Sequence, residues 1–122
     1  MKSFVITLLL LLLMLGGILV NHLYINKVAN SLLSGLDSMP QECNEESTSQ
    51  ARELLSYWEA HADRVDLSVS FPLVDRVGEQ LNVLIACAEC GDLYGYRSTL
   101  AILKDAVKDI KRLERLTVGS IL

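Results

Sequence analysis

Proline is nearly absent from this chain. Only Pro40 and Pro72 occur in 122 residues, and seven glycines accompany them. So few breakers argue against a turn-rich β architecture and favour helix. Charge is missing altogether from residues 4–20, a run of seventeen positions containing six consecutive leucines, Leu8 to Leu13. A helix needs about 20 apolar residues to cross the hydrocarbon core, so this run is long enough, or nearly so. Cysteine is scarce, at Cys43, Cys87 and Cys90 only. A closed zinc site needs four ligands; beside Cys87 and Cys90 only Cys43, His61 and His22 are soft candidates, and no second paired motif exists. No Gly-rich phosphate loop, G-x-S-x-G or H-E-x-x-H pattern occurs, so the sequence carries no catalytic signature. The expectation is a protein that is not an enzyme and needs no cofactor.

Three fates compete for the apolar run: cleaved signal, lipoprotein signal, or retained anchor. A lipoprotein signal needs a cysteine directly after the run, and Cys43 comes far too late. A cleavable signal needs small residues at spaced positions just beyond the apolar core. Here the run closes with Ile18, Leu19, Val20, Asn21 and His22. Apolar residues then continue at helical spacing through Leu23, Ile25, Val28, Leu32 and Leu36. The pattern predicts one helix that leaves the membrane near Asn21 and extends as an amphipathic stalk. The expected division is an anchor over 1–25, a stalk and break over 26–40, and a small helical domain over 41–122. Lys2 precedes the span, and Lys27 is the only basic residue close after it. Positive charge tends to stay inside, which keeps the N-terminus cytoplasmic and the following domain extracytoplasmic.

The formal net charge is −4. Nothing in it suggests the basic footprint of a nucleic-acid binder. The expected partners are the lipid bilayer and another membrane protein, with no nucleic acid and no small-molecule substrate. Charge is nonetheless unevenly spread. Glu42, Glu45, Glu46, Glu53 and Glu59 surround Arg52, while Lys104, Lys108, Lys111, Arg112 and Arg115 dominate later. An acidic early helix and a basic late helix could pair, or the basic one could touch anionic headgroups. Two solvated faces is the plainer reading.

Past the Met39-Pro40 break, residues 41–49 read as a polar connector. Asn44 or Ser47 can cap the next helix, and Ser47 with Gln50 fits the capping-box spacing. Ala51, Leu54, Leu55, Trp58, Ala62 and Val65 then share one helical face, with Trp58 as the anchor of a core. A third helix begins near Pro72, with Ser70 as a candidate cap, and buries Leu73, Val77, Leu81, Leu84, Ile85 and Ala88. It ends at Gly91, where Asp92 can cap the fourth. So short a junction implies an antiparallel hairpin. The fourth helix carries a seam of Leu93, Tyr96, Leu100, Leu103, Val107, Ile110 and Leu113, and fraying is expected from Arg112 onward. Leu67, Val69 and Phe71 alternate too briefly to make a strand.

Cys87 and Cys90 form a C-x-x-C. In thiol oxidoreductases that motif sits at a helix N-terminus, where the dipole lowers the thiol pKa. Here it precedes Gly91, at the opposite pole. Packing as small apolar groups competes with a disulfide from Cys43 to one of the pair. A thiol- or metal-responsive sensor using Cys87, Cys90 and Cys43 is the alternative function. His61 is expected half-buried at the edge of the apolar face, and His22 at the membrane boundary.

The M-K-S-F start, the Leu-rich anchor, L-L-S-G-L-D, A-R-E-L-L-S-Y-W-E, the C-G-D hairpin and the terminal I-L are carried together. In these the chain resembles the bacterial domain-of-unknown-function family numbered 4363. The family commonly ends in Asn-Ile-Leu, where this chain has Ser120-Ile121-Leu122. The resemblance implies a small, single-span, helical bacterial membrane protein with a membrane-protein partner. It supplies no catalytic residues.

Overall fold

The computed structural model describes residues 1–66 and 71–121. They form four helices in chain order: α1 (Lys2–Asp37), α2 (Glu45–Asp66), α3 (Phe71–Cys90) and α4 (Leu93–Ile121). The class is all-α, a long N-terminal apolar helix followed by a helical bundle. The expectations for Ser70 and for the Leu67-to-Phe71 alternation fall at least partly outside the described residues.

Helix α1 changes role along its length. At 1.5 Å per residue its 36 residues span about 54 Å. Its first half is largely exposed, Phe4, Leu10, Leu13 and Val20 among it, with Leu15 and Ile18 half-buried. From Ile25 onward one stripe turns inward: Ile25, Val28, Ala29, Leu32 and Leu36 are all buried. The stalk is therefore the first helix of the bundle rather than a free rod beneath it. The three amphipathic helices that follow complete the ring.

Helix α1 stops where proline predicts. Ser38 donates its backbone N–H to Ser34 O at 3.1 Å, and Met39 donates to Leu36 O at 3.3 Å. Met39 then enters the core. Helix α2 begins six residues earlier than the apolar pattern, because Asn44 and Ser47 lock its start. Ser47 N–H donates to Asn44 Oδ1, and Asn44 N–H donates to Ser47 Oγ, both at 2.8 Å. This reciprocal box uses Asn44 as the cap and Ser47 as its return partner. Gln50, expected in that role, instead bonds Glu46. Residues 45–49 are thus helical, not connector.

The α3–α4 junction closes as the sequence predicts. Gly91 takes φ +72°, a conformation that costs an L-residue side chain but not glycine. Asp92 donates to Cys87 O at 3.0 Å and Gly91 to Ala88 O at 3.4 Å, the paired bonds of a Schellman ending. Asp92 Oδ1 then accepts from Gly95 N–H at 3.0 Å and opens α4.

The helices form an antiparallel ring in which each packs on its two neighbours in chain order, and α4 closes against α1. The narrowest face is α1–α2, where Gly35 lets Leu54 in: a β-carbon there would stand 2.5 Å from Leu54 Cδ2. The diagonal backbones, α1 with α3 and α2 with α4, do not approach among the described residues. The acidic and basic helices are therefore not partners. The α4 cations go to α1 instead: Lys104 reaches Asp37 at 3.1 Å and Lys111 reaches Asn30 Oδ1 at 2.7 Å. Arg52 of α2 pairs with Glu89 of α3.

The core joins Trp58, Val65, Val77, Leu81, Leu84, Tyr96, Leu103, Val107 and Ile110 to the α1 stripe. The α4 seam departs from expectation at both ends, where Leu93 and Leu113 are exposed. Glu114 takes the inward place, four residues after Ile110. Nor does α4 fray at Arg112; it continues to Ile121.

Candidate functional site: the cysteine-bearing end of the bundle

Antiparallel packing puts the α1–α2 connection, the start of α2, the end of α3 and the start of α4 at one end of the bundle. All three cysteines gather there. The apolar half of α1 lies beyond the opposite end. A groove of about 960 Å³ opens between α2 and α3, lined by Cys43, Thr48, Arg52, Ser56, Glu89 and Cys90 among others. The Arg52–Glu89 ion pair belongs to its lining. Both partners are well exposed, so it fixes the groove's polarity more than its stability.

A buried hydrogen bond braces this end. The Tyr96 hydroxyl donates to Pro40 O at 2.6 Å, and Tyr96 is fully buried. Arg97 adds a longer bond to Gln41 O at 3.4 Å. The connection after α1 is therefore pinned onto α4. Ser47, also buried, donates its hydroxyl to Asn44 O at 2.8 Å.

All three thiols are free. Cys43 and Cys87 are half-buried against the core, as small apolar groups would be, while Cys90 is exposed. Burial pushes the Cys43 thiol up, and the neighbouring Asp92 and Cys87 push it further; Arg97 opposes them. A thiol held this way is a poor nucleophile, because only the thiolate attacks.

The two histidines occupy the other end. His61 Nδ1 lies 2.7 Å from Tyr57 O, and its ring packs against Tyr57 and Tyr24. Arg64 covers the far side of this cluster, its guanidinium 4.3 Å from the Tyr24 ring centre. His22 Nε2 lies 3.0 Å from Asn26 Nδ2, and its Nδ1 is 3.7 Å from Glu114 Oε1. From His22 to Leu36, α1 climbs about 21 Å. The histidines and cysteines are thus too far apart to share a metal or a proton. Among the described residues no three His, Cys, Asp or Glu side chains converge on one point.

Residue spacing left two features unread. Glu114 is buried although acidic, and its signal was the four-residue step after Ile110, where Leu113 offered a competing step of three. The Tyr96–Pro40 bond joins positions 56 apart and has no local signature.

No family model, no curated protein and no solved structure matches this chain.

Proposed function

We propose that this chain is a membrane-tethered, non-catalytic module that presents a small helical bundle to another membrane protein on the extracytoplasmic side. One observation carries the reading. Helix α1 is at once the apolar run and the first helix of the bundle, with no loop between the two roles. In water its bare half would expose Phe4 through Val20 as one apolar column, far beyond what a monomeric soluble protein shows. A bilayer removes that cost. The four helices then form one unit, with a groove of about 960 Å³ among the distal ends described above.

The groove is open and mixed in character, with apolar surface beside the exposed Arg52–Glu89 pair, which suits recognition of a partner's surface. Photocrosslinkers placed at Ser49 in the groove and at Asp63 on the other end of α2 test this in membranes. A discrete adduct with one membrane protein from Ser49, absent from Asp63, is the expected result. No adduct from either position, with nothing retained in affinity capture from detergent extracts, overturns the interaction role. Retention in the pellet after carbonate washing tests the tether. Introduced cysteines probed from each side test the orientation.

A thiol-responsive sensor is the second reading, and the gathering of Cys43 and Cys87 at one end favours it. Counting free thiols with and without reductant separates the two. Three unreactive thiols under oxidising conditions dispose of the sensor.

A further inference from the structure

We propose that the last two turns of α4 sit in the membrane interface beside the span of α1, with Arg112 and Arg115 on anionic lipid headgroups. This rests on the reading of α1 as a membrane anchor and adds a second foothold to it.

Register is the first argument. Three cross-links fix the antiparallel α1–α4 pair: His22 with Glu114 at 3.7 Å, Asn30 with Lys111 at 2.7 Å, and Asp37 with Lys104 at 3.1 Å. Glu114 therefore lies level with His22. Helix α4 does not stop there but runs to Ile121. Those seven further residues carry it about 10 Å past His22, alongside the upper part of the span. Leu15 and Ile18 are half-buried, whereas the other residues of the apolar run are exposed. Their spacing continues that of His22 and Ile25, the face turned toward α4.

Charge is the second argument, read on that register. Helix α1 carries no charged side chain between Lys2 and Lys27. Helix α4 carries none after Arg115. Two antiparallel helices thus lose their charges toward the same level. Just above it, Lys108, Arg112 and Arg115 are exposed and spaced by four and three, one basic stripe on the outer face of α4. Arg112 also contacts Asp109 at 3.4 Å, an exposed pair too weak to hold it from a phosphate. Leu116, one residue past Arg115, is 63% exposed. Cations above and an exposed leucine below match the headgroup-to-acyl boundary. Each basic residue near an anionic surface gains about 1 kcal/mol, roughly a fivefold bias.

Two footholds would fix the bundle's posture. The distal groove would then stand at a set height and face a partner in one orientation, where a single span would let it swivel.

The test uses the full chain with Cys43→Ala, Cys87→Ala and Cys90→Ala, and one new thiol-bearing position for an environment-sensitive fluorophore. Gly119→Cys is the reporter, because a side chain there meets open space. Tyr94→Cys, at the distal end and 85% exposed, is the control. Both are reconstituted into phosphatidylcholine vesicles with and without phosphatidylglycerol. The expected result is blue-shifted emission and quenching by lipid-borne nitroxide from position 119 only, stronger with phosphatidylglycerol. Arg112→Gln with Arg115→Gln should lower the inserted-to-withdrawn ratio about fivefold per arginine while far-UV circular dichroism is unchanged. If that pair unfolds the bundle, the phosphatidylglycerol dependence of the unmutated arginines decides alone. A water-exposed probe on a carbonate-resistant chain overturns this inference and leaves the anchor standing. A chain that carbonate extracts overturns both. A probe shielded in detergent without lipid, in proportion to protein concentration, shows that a second copy covers this face and also overturns it.

Discussion

Tyr96 and Pro40 are 56 positions apart, and the hydroxyl of one meets the carbonyl of the other at 2.6 Å inside the cysteine-bearing end of the bundle. The bond holds the α1–α2 connection against α4, beside the burial of Met39 in the core. Tyr96→Phe keeps the ring and removes the donor, leaving the Pro40 carbonyl unpaired. A loss of about 1–2 kcal/mol is expected. A thermal melt of the full chain in detergent, followed by far-UV circular dichroism, reads it. An unchanged midpoint would mean water replaces the hydroxyl at no cost.

Alkaline pH should weaken the same end. Burial raises the Tyr96 phenol above its ordinary 10.0 and the nearby Cys43 sulfur adds to this, against the Ser47 hydroxyl. Burial also raises the Cys43 thiol above 9.0, with Asp92 and Cys87 contributing in the same direction. In both cases the fold favours the neutral form, so the unfolded chain ionises first as pH rises. Stability is then complete below about pH 9 and falls as pH climbs through the higher folded values. Melting midpoints measured from about pH 8 to 11 should show this fall, and Cys43→Ala with Tyr96→Phe should flatten it.

Trp58 is 2% exposed and packs beside Gly78 of α3, whose β-position would lie 3.7 Å from the indole Nε1. Trp58→Ala removes the largest apolar group of the domain and should cost about 3–5 kcal/mol. Trp58→Phe should lose less, since part of the volume remains. Equal midpoints for wild type and Trp58→Ala in thermal denaturation would refute the packing described.

His22 and Glu114 should respond unequally to substitution. Glu114 is 4% exposed, and His22 Nδ1 is buried without a hydrogen bond among the described residues. His22→Leu leaves the carboxylate buried without its imidazole neighbour, a loss of about 1–3 kcal/mol. Glu114→Leu removes the group that is costly to bury, so it should be neutral or stabilising. Denaturation of the two variants under one detergent condition checks the asymmetry. A larger loss for Glu114→Leu than for His22→Leu would reverse this account.

The periodic features were legible because each is local. Trp58 and Val65 announce their face by spacing with Ala51. Gly91 and Asp92 mark a helix end and a helix start within two residues. Asn44 was one of two named caps, and the choice fell to it because Ser47 returns the bond. The candidate groove was not legible. Its wall joins Cys43 and Thr48 to Glu89, residues with no common period. Leu113 and Glu114 were equally compatible with the α4 seam, and hydrophobicity alone favoured the wrong one. Helix α1 turned its next face inward to His22, and that register selected Glu114.

By itself the sequence determined the apolar run, the four helical segments and most of the face each would bury. These follow from hydrogen bonds and side-chain spacing within a turn or two of helix. Only the tertiary structure decided which helices are neighbours, that the stalk belongs to the bundle, and that cysteines and histidines lie at opposite ends. Period reports which side of a helix is apolar, but not what will cover it. That choice is made when four such faces close on one another, and the closure also sets how far α4 runs beside α1.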